Sequence, residues 1–207
     1  MNIELEGVGK RYKAEWIVRN VTTTFKHGDQ YAITGPNGSG KSTLLKMLSG
    51  HLTPSKGTIS YRFQEQKIEL QQVYQYLTFA APYIELIEEL TLTEALSFHQ
   101  RFKPFVGNLS IKQLIELLGF QRSKSKEIRN FSSGMKQRLK LVLALCSDTP
   151  LVLLDEPTTN LDQQGIEWYR SLIDQFAQDR TLIIASNVDV DFDFCSQQLH
   201  ILDYKRK

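Results

Sequence analysis

The sequence has little that would tie it to a metal, an oxidising compartment or a membrane span. It contains two cysteines, Cys146 and Cys195, far apart and without metal-ligand spacing. They imply no disulfide framework; both read as small core hydrophobes in a reducing, cytoplasmic setting. None of the four histidines, His27, His51, His99 and His200, belongs to a metal pattern. No apolar run approaches the length of a spanning helix, and the richest, Leu139 to Leu154, is broken by Asp148 and Pro150. The opening Met1-Asn2-Ile3-Glu4-Leu5-Glu6 alternates like a strand, so no signal peptide is expected. An excess of one charge is also missing. Lys plus Arg number 25 against 23 Asp plus Glu, a net +2, which gives no electrostatic case for nucleic acid. The cluster Arg122, Lys124, Lys126, Arg129 and the tail Lys205-Arg206-Lys207 read as solvated surface. Internal repeats and low-complexity segments are absent. What remains, 207 residues with 41% hydrophobic content, suffices for one large or two small domains with a sizeable core.

Against this background one stretch stands out: Gly35-Pro36-Asn37-Gly38-Ser39-Gly40-Lys41-Ser42-Thr43, which fits G-x-x-x-x-G-K-[ST]. Its glycines let the backbone turn inward so that N–H groups surround an anion. In such a loop Lys41 can reach terminal phosphates, and the Ser42 hydroxyl can bind Mg²⁺. Tyr31-Ala32-Ile33-Thr34 reads as a buried strand entering the loop. Ser42 to Leu48 reads as a helix leaving it, stopped at Gly50, whose N-terminus adds partial positive charge to the same place.

Strand-like alternation runs from Ile3 to about Phe25, and His27-Gly28-Asp29 is a turn. Thr58 to Phe63 reads as a strand, and Val73 to Ala80 as another β-rich run. From about Pro82 the period becomes helical. Thr91-Leu92-Thr93-Glu94 has capping-box spacing and opens a helix toward Phe102. Ser110 caps a second helix with Ile111, Leu114, Ile115 and Leu118 on one face, ended by Gly119. After a polar linker, a third helix carries Met135, Leu139, Val142 and Leu143 inward. Such a helical block between strand-rich parts is most economically an insertion into an α/β sheet domain. Leu151-Val152-Leu153-Leu154 has the character of a central parallel strand. Asp162 caps a helix with Ile166, Tyr169, Leu172, Ile173 and Phe176 at helical spacing. Thr181 to Ala185 is a further buried strand, and Gln198 to Tyr204 a last edge strand.

Asp155 and Glu156 follow the apolar run directly, which places two carboxylates at a strand's C-terminal end, where α/β sheets bind ligands. One carboxylate suits Mg²⁺, directly or through water, and the next suits orienting and deprotonating a water. Ser132-Ser133-Gly134-Met135 puts small polar residues at a helix N-terminus, either another anion-binding end or simply a capped helix.

With these residues in view, the whole chain resembles the ATP-binding subunit of an ABC transporter, export-type rather than import-type in Met135-Lys136-Gln137-Arg138-Leu139. Gly35 to Thr43 matches the Walker A loop and Leu151 to Glu156 the Walker B strand. Phe131-Ser132-Ser133-Gly134-Met135 resembles the LSGGQ signature, and Thr159-Asn160-Leu161-Asp162 the D-loop. Tyr12 stands where the adenine-stacking aromatic is found, while the competing Trp16 reads as core. The resemblance implies an ABC ATPase architecture. Its core, 1–81 and 148–207, is a P-loop NTPase (RecA-like) parallel sheet with an antiparallel β edge, and its inserted α-helical subdomain spans about 82–147. It implies ATP and Mg²⁺ as cofactors, with Tyr12, Gly35 to Thr43, Ser132, Ser133, Gly134 and Asp162 on the nucleotide and Ser42 and Asp155 on the metal. It further implies a homodimer or paired ATPase subunit, a separate transmembrane permease, and a location at the inner face of the cell membrane. The run Tyr83-Ile84-Glu85-Leu86-Ile87 lies where the family docks its permease, or else belongs to a helix core.

Two positions depart from the pattern. Asn187 stands where the family has its switch histidine, and Ala80-Ala81-Pro82 where it has the Q-loop glutamine. The expectation is therefore an ATPase with Glu156 and Asn187 as catalytic residues and slow hydrolysis. A slow ATP-gated regulatory module and a haem-exporter-type subunit are the alternatives. Soluble ABC ATPases acting on DNA or ribosomes carry long coiled coils or paired domains with a charged linker, and neither is visible here.

Overall fold

The computed structural model describes residues 1–205. The N-terminal alternation forms β1 (Asn2–Tyr12) and β2 (Glu15–Phe25), an antiparallel pair that buries Ile3, Leu5, Val8, Val18, Val21 and Phe25. The phosphate-loop strand is β3 (Gln30–Thr34) and the helix leaving the loop is α1 (Lys41–Leu48). β4 (Lys56–Phe63) returns alongside β1, and β5 (Gln66–Ile68) completes a sheet of order β2-β1-β4-β5.

The second sheet has order β6-β7-β8-β3-β9, built from β6 (Leu77–Ala80), β7 (Leu151–Asp155), β8 (Thr181–Ala185) and β9 (Gln197–His200) beside β3. β7, β8, β3 and β9 run parallel. Every residue of β7 and β8 is buried, as two covered faces require. Together with α1, both sheets enclose one apolar core in which Leu44, Leu45, Met47, Leu48, Ile33, Leu153 and Ile183 meet the inner face of β1 and β2. The Tyr61 hydroxyl donates to the carbonyls of Met47 and Leu48 at 3.3 and 3.1 Å, satisfying oxygens that the end of α1 leaves open.

These elements form one of two compact units: Met1–Phe79, Pro150–Glu156 and the chain from Asp179 on. The other unit, Ala80–Thr149 with Pro157–Gln178, holds α2 (Leu92–Gln100), α3 (Ile111–Leu118), α4 (Ser133–Leu145) and α5 (Gln163–Phe176). The insertion expected at 82–147 lies inside this helical unit, which also takes in 157–178. The capping boxes at Thr91/Glu94 and Ser110/Gln113 both form, and Gly119 ends α3 in the left-handed conformation. Among the described residues no helix is long and apolar enough to cross a membrane.

Several expectations fail locally, for identifiable reasons. Val73 to Ala80 is a strand only from Leu77. Leu70 to Gln75 form a 3₁₀ helix in which Val73 is the one buried residue. The helical period expected from Pro82 begins at Leu92; residues 82–91 are turns and irregular chain, whose Leu90 and Glu88 carbonyls accept from the Ile128 and Arg129 N–H groups at 2.9 and 3.0 Å. Tyr83 and Ile87 are accordingly exposed rather than part of a helix core. The last strand stops at His200 and 201–204 wind into a 3₁₀ turn. Met135 and Leu143 are only half-buried, whereas Leu139 and Val142 are fully buried. Trp16 lies outside the core, half-buried, with the guanidinium carbons of Arg11 and Arg19 at 5.6 and 5.7 Å from its ring centre. Of the basic tail, Arg206 and Lys207 lie outside the described residues.

The helical unit also contains a histidine with a pH signature. His99 Nε2 donates to Ser147 Oγ at 2.7 Å while that hydroxyl donates to Leu143 O, and the ring stacks on Phe105 at 5.6 Å. Burial, aided by the Lys103 charge, pushes its pKa down to about 4 from 6.5. Below 6.5 the unfolded chain therefore takes up a proton that the folded chain refuses. The stability His99 contributes is complete above pH 6.5 and lost as pH falls toward 4. Urea unfolding should show a loss on the order of 2–3 kcal/mol across that window, and His99→Asn should flatten it.

Candidate functional site

Strand register sets the site. Asp155 pairs with Ala185, Ala185 pairs with Ile33, and Thr34 pairs with His200, so the carboxyl ends of β7, β8, β3 and β9 lie level. Two backbone bonds extend this ladder, Glu156 N–H to Ala185 O at 2.8 Å and Ser186 N–H to Ile33 O at 3.2 Å. The loop after β3 emerges at this edge and runs into α1. Gly35, Gly38 and Gly40 hold φ of 141°, 73° and 108°. At Gly35 a Cβ would fall 2.6 Å from Ile201 Cγ2, and at Gly40 it would fall 2.9 Å from Ile17 Cγ2. The loop therefore needs glycine for both conformation and space.

Three features of the loop fit a polyanion. Gly40, the N-cap of α1, offers no side chain to cap it, so the first-turn N–H groups face the loop. Lys41 is 4% exposed and its ammonium donates to the carbonyls of Gly35 and Pro36 at 2.8 and 3.2 Å, curled back over the loop. Ser39 Oγ is buried without a hydrogen-bond partner, a hydroxyl left to be satisfied by a ligand. Pro36, Asn37 and Gly38 form the exposed rim, and Ser42 and Thr43 are half-buried in the first turn of α1.

Asp155 is 1% exposed at the end of β7. Glu156 follows in the left-handed region with φ 45°, a sparsely populated conformation for a residue with a side chain. It takes Glu156 out of the strand alternation and leaves it half-buried at the site edge. Ser186 is anchored by donating to Asp191 Oδ2 and accepting from the Val188 N–H at 3.0 Å. Asn187 sits between those anchors, exposed, two residues beyond the register partner of Asp155. Among the described residues no group of three or more His, Cys, Asp or Glu could hold a metal by itself. Ser42 Oγ and the Asp155 carboxylate are hard oxygen donors of the kind that suits Mg²⁺.

A family profile described as ABC transporter matches residues 18–159. The chain belongs to the ABC transporter family. It is an ATP-binding cassette, and its relatives agree. YcbN of Bacillus subtilis (strain 168), an uncharacterized ABC transporter ATP-binding protein, is 30% identical over 90% of this chain and 61% of its own length. The lantibiotic transport ATP-binding protein SrtF of Streptococcus pyogenes is 29% identical over 98% of the chain and 84% of its own. The Nod factor export ATP-binding protein I of Rhizobium johnstonii is 31% identical over 99% and 67%. The cassette thus spans less than two thirds of YcbN. Among solved structures, a putative ABC transporter ATP-binding protein from Pyrococcus furiosus superposes with a TM-score of 0.82 at 20% identity, each chain covered completely. The dimeric bacterial ABC transporter cassette MJ0796 superposes at 0.80 with 25% identity, covering 96% of this chain and 94% of that one.

Of the remaining predicted residues, Ser132, Ser133, Gly134 and Asp162 belong to the helical unit and Tyr12 to the first. Ser132 caps α4 by accepting from the Met135 N–H at 3.2 Å, and Asp162 caps α5 by accepting from the Gly165 N–H at 2.8 Å. With Ser133, Gly134 and Asn160 they line an open cavity of about 380 Å³. A Cβ on Gly134 would stand 2.9 Å from the Asn160 carbonyl, so this glycine sets how closely the two segments approach. Tyr12 is 51% exposed at the end of β1, with the Lys10 ammonium 5.3 Å from its ring centre.

Sequence reasoning missed four residues. Gln137 is buried and donates to the Pro157 carbonyl at 2.7 Å, fixing the chain just after Glu156. His200 Nδ1 lies 3.1 Å from Thr34 Oγ1 at the mouth of the phosphate loop. Ile201 is fully buried against Gly35, and the Lys205 ammonium is 3.4 Å from the Gly38 carbonyl. Only the family motif flagged the neighbourhood of Gln137. The other three depend on where β9 joins the sheet, which no local pattern encodes. Gly40→Ala should force a Cβ into Ile17 and Val18 at a φ that alanine resists. We expect a destabilisation of about 1–3 kcal/mol and loss of ATP binding, read by urea unfolding and nucleotide titration.

Proposed function

We propose that the cassette binds ATP with Mg²⁺, hydrolyses it slowly, and drives a separate membrane permease of an export system through ATP-dependent pairing of two cassettes. The observation that carries this reading is the buried Lys41 and the partnerless Ser39 hydroxyl in a glycine-shaped loop, level with Asp155 and Glu156. On ATP binding the Lys41 ammonium exchanges the loop carbonyls for β- and γ-phosphate oxygens, and the loop and first-turn N–H groups of α1 surround them. Ser42 and Asp155 would hold Mg²⁺, which supplies charge neutralisation at those phosphates when bound. Tyr12 would stack on the adenine.

In the hydrolytic step the Glu156 carboxylate orients a water and accepts its proton. The water oxygen bonds to the γ-phosphorus as the bond to the ADP oxygen breaks. Asn187 donates a neutral N–H to the γ-phosphate as charge develops, in place of a histidine that could carry a proton. One preorganised donor at such a centre is worth about a hundredfold in rate, of which Asn187 supplies part. Ser132, Ser133 and Gly134 at the start of α4 would meet the γ-phosphate bound by a second cassette, with Asp162 nearby. Transport is supported by the likeness to SrtF, a lantibiotic transport ATP-binding protein, and export by the likeness to the Nod factor export protein. The absence of a spanning helix among the described residues supports a peripheral subunit at the inner face of the membrane, in contact with its permease through Tyr83 to Ile87. A slow ATP-gated regulatory module is the second reading. Asn187 and the Ala81-Pro82 segment favour it, and steady-state turnover of the purified protein separates the two.

Lys41→Ala should weaken ATP binding at least tenfold in calorimetric titration; unchanged affinity would overturn the site. Glu156→Gln should abolish turnover while retaining ATP and accumulating dimer by sedimentation. A mass that stays monomeric at saturating ATP speaks against pairing of like chains. Among position-187 variants, Asn187→Ala should hydrolyse more slowly than wild type and Asn187→His at least as fast; equal rates for alanine and wild type would remove Asn187 from the γ-phosphate.

A further inference from the structure

The first unit holds an open cavity of about 470 Å³ whose lining contains no residue of the phosphate loop. It arises where the β1–β2 ladder slips. The register shifts between Leu5 and Val8 and again between Val8 and Lys10, and Gly7 and Asn20 both turn left-handed, at φ 58°. Gly9 is bare for a reason: a Cβ there would stand 2.8 Å from Trp16 Cζ3. The glycine lets the indole lie against the strand as a wall of the cavity.

The charges around that wall are uneven. Arg19 and Lys56 line the cavity and Arg11 stands over the same indole, against a single carboxylate, Asp203. Among the described residues none of these four groups takes part in an ion pair. A surplus of cations outside any ion pair beside a half-buried indole, with one carboxylate in the same lining, matches an anion attached to a planar body that bears hydroxyl or amine donors.

We propose that this cavity binds a mononucleotide-sized organic phosphate at a site separate from the phosphate loop. Arg19 and Lys56 take the phosphate, Trp16 and Tyr204 flank the planar ring, and Asp203 accepts from sugar hydroxyls. The turn that supplies Asp203 and Tyr204 also presses Ile201 on Gly35 and places Lys205 by Gly38, so one short segment touches both sites.

The test is calorimetric titration of AMP into wild-type protein already saturated with ADP and Mg²⁺, with inorganic phosphate in parallel. We expect one saturable AMP site and weaker binding of phosphate alone. Arg19→Ala and Lys56→Ala should each lower AMP affinity about tenfold or more while ADP affinity, which also reports folding, stays unchanged. The milder Arg19→Lys should retain most of the AMP affinity. Three results would overturn the proposal: no saturable AMP binding at millimolar concentration, AMP binding that ADP competes away or Lys41→Ala abolishes, or AMP affinity indifferent to both alanine variants.

Discussion

The backbone of the phosphate loop passes closer to its neighbours than any side chain would permit, and the rest of the first unit is arranged to make that possible. Gly35 lies under Ile201 and Gly40 against Ile17 and Val18. The loop is thus pinned at one end by the turn after β9 and at the other by β2, so its N–H groups are fixed before any ligand arrives. Preorganisation of this kind removes the ordering cost from the binding step. It also explains the burial of Lys41, whose ammonium is stored on two loop carbonyls rather than in water. The antiparallel sheet, which supplies none of the carboxyl-end strands, provides the wall against which the loop is held.

In the helical unit the first residues of α4 and the segment after β6 are tied together by lysines one turn apart. Lys140 donates to the carbonyls of Ala81 and Pro82 at 3.2 and 2.8 Å, and Lys136 pairs with Glu88 at 2.5 Å. Burial holds the Lys140 ammonium below the usual lysine range, the Lys136 charge lowers it further and Glu85 opposes both. Gln137, between them in sequence, reaches the Pro157 carbonyl instead. One helix therefore fixes two connecting segments of the chain.

The parts legible in the sequence were those whose cause is local. Glycine spacing announced the phosphate loop, Thr91/Glu94 and Ser110 with Gly119 announced two helices, and unbroken apolar runs announced β7 and β8. Their determinants lie within a few residues of one another. Trp16 was misread because hydrophobicity does not say that a bare Gly9 and two arginines will hold an indole at the surface. Val73 to Tyr76 was read as part of a strand because so short a stretch of apolar and aromatic residues does not distinguish a 3₁₀ turn from a strand. The roles of His200, Ile201 and Lys205 follow from the pairing of β9 with β3, a contact between distant parts of the chain. The left-handed Glu156 is likewise invisible from composition, since most residues there would be extended or helical.

The placement of β3 has a consequence for how the protein is made. Its hydrogen-bonding partners are β8 and β9 alone, so a strand that ends at Thr34 waits for neighbours that begin at Thr181 and Gln197. Until residues 181–200 have left the ribosome, both edges of β3 are open. Nascent chains of this topology expose an unpaired strand from the synthesis of β3 until β8 and β9 have emerged. A shortage of chaperone capacity should therefore be felt during translation rather than in the finished, folded protein.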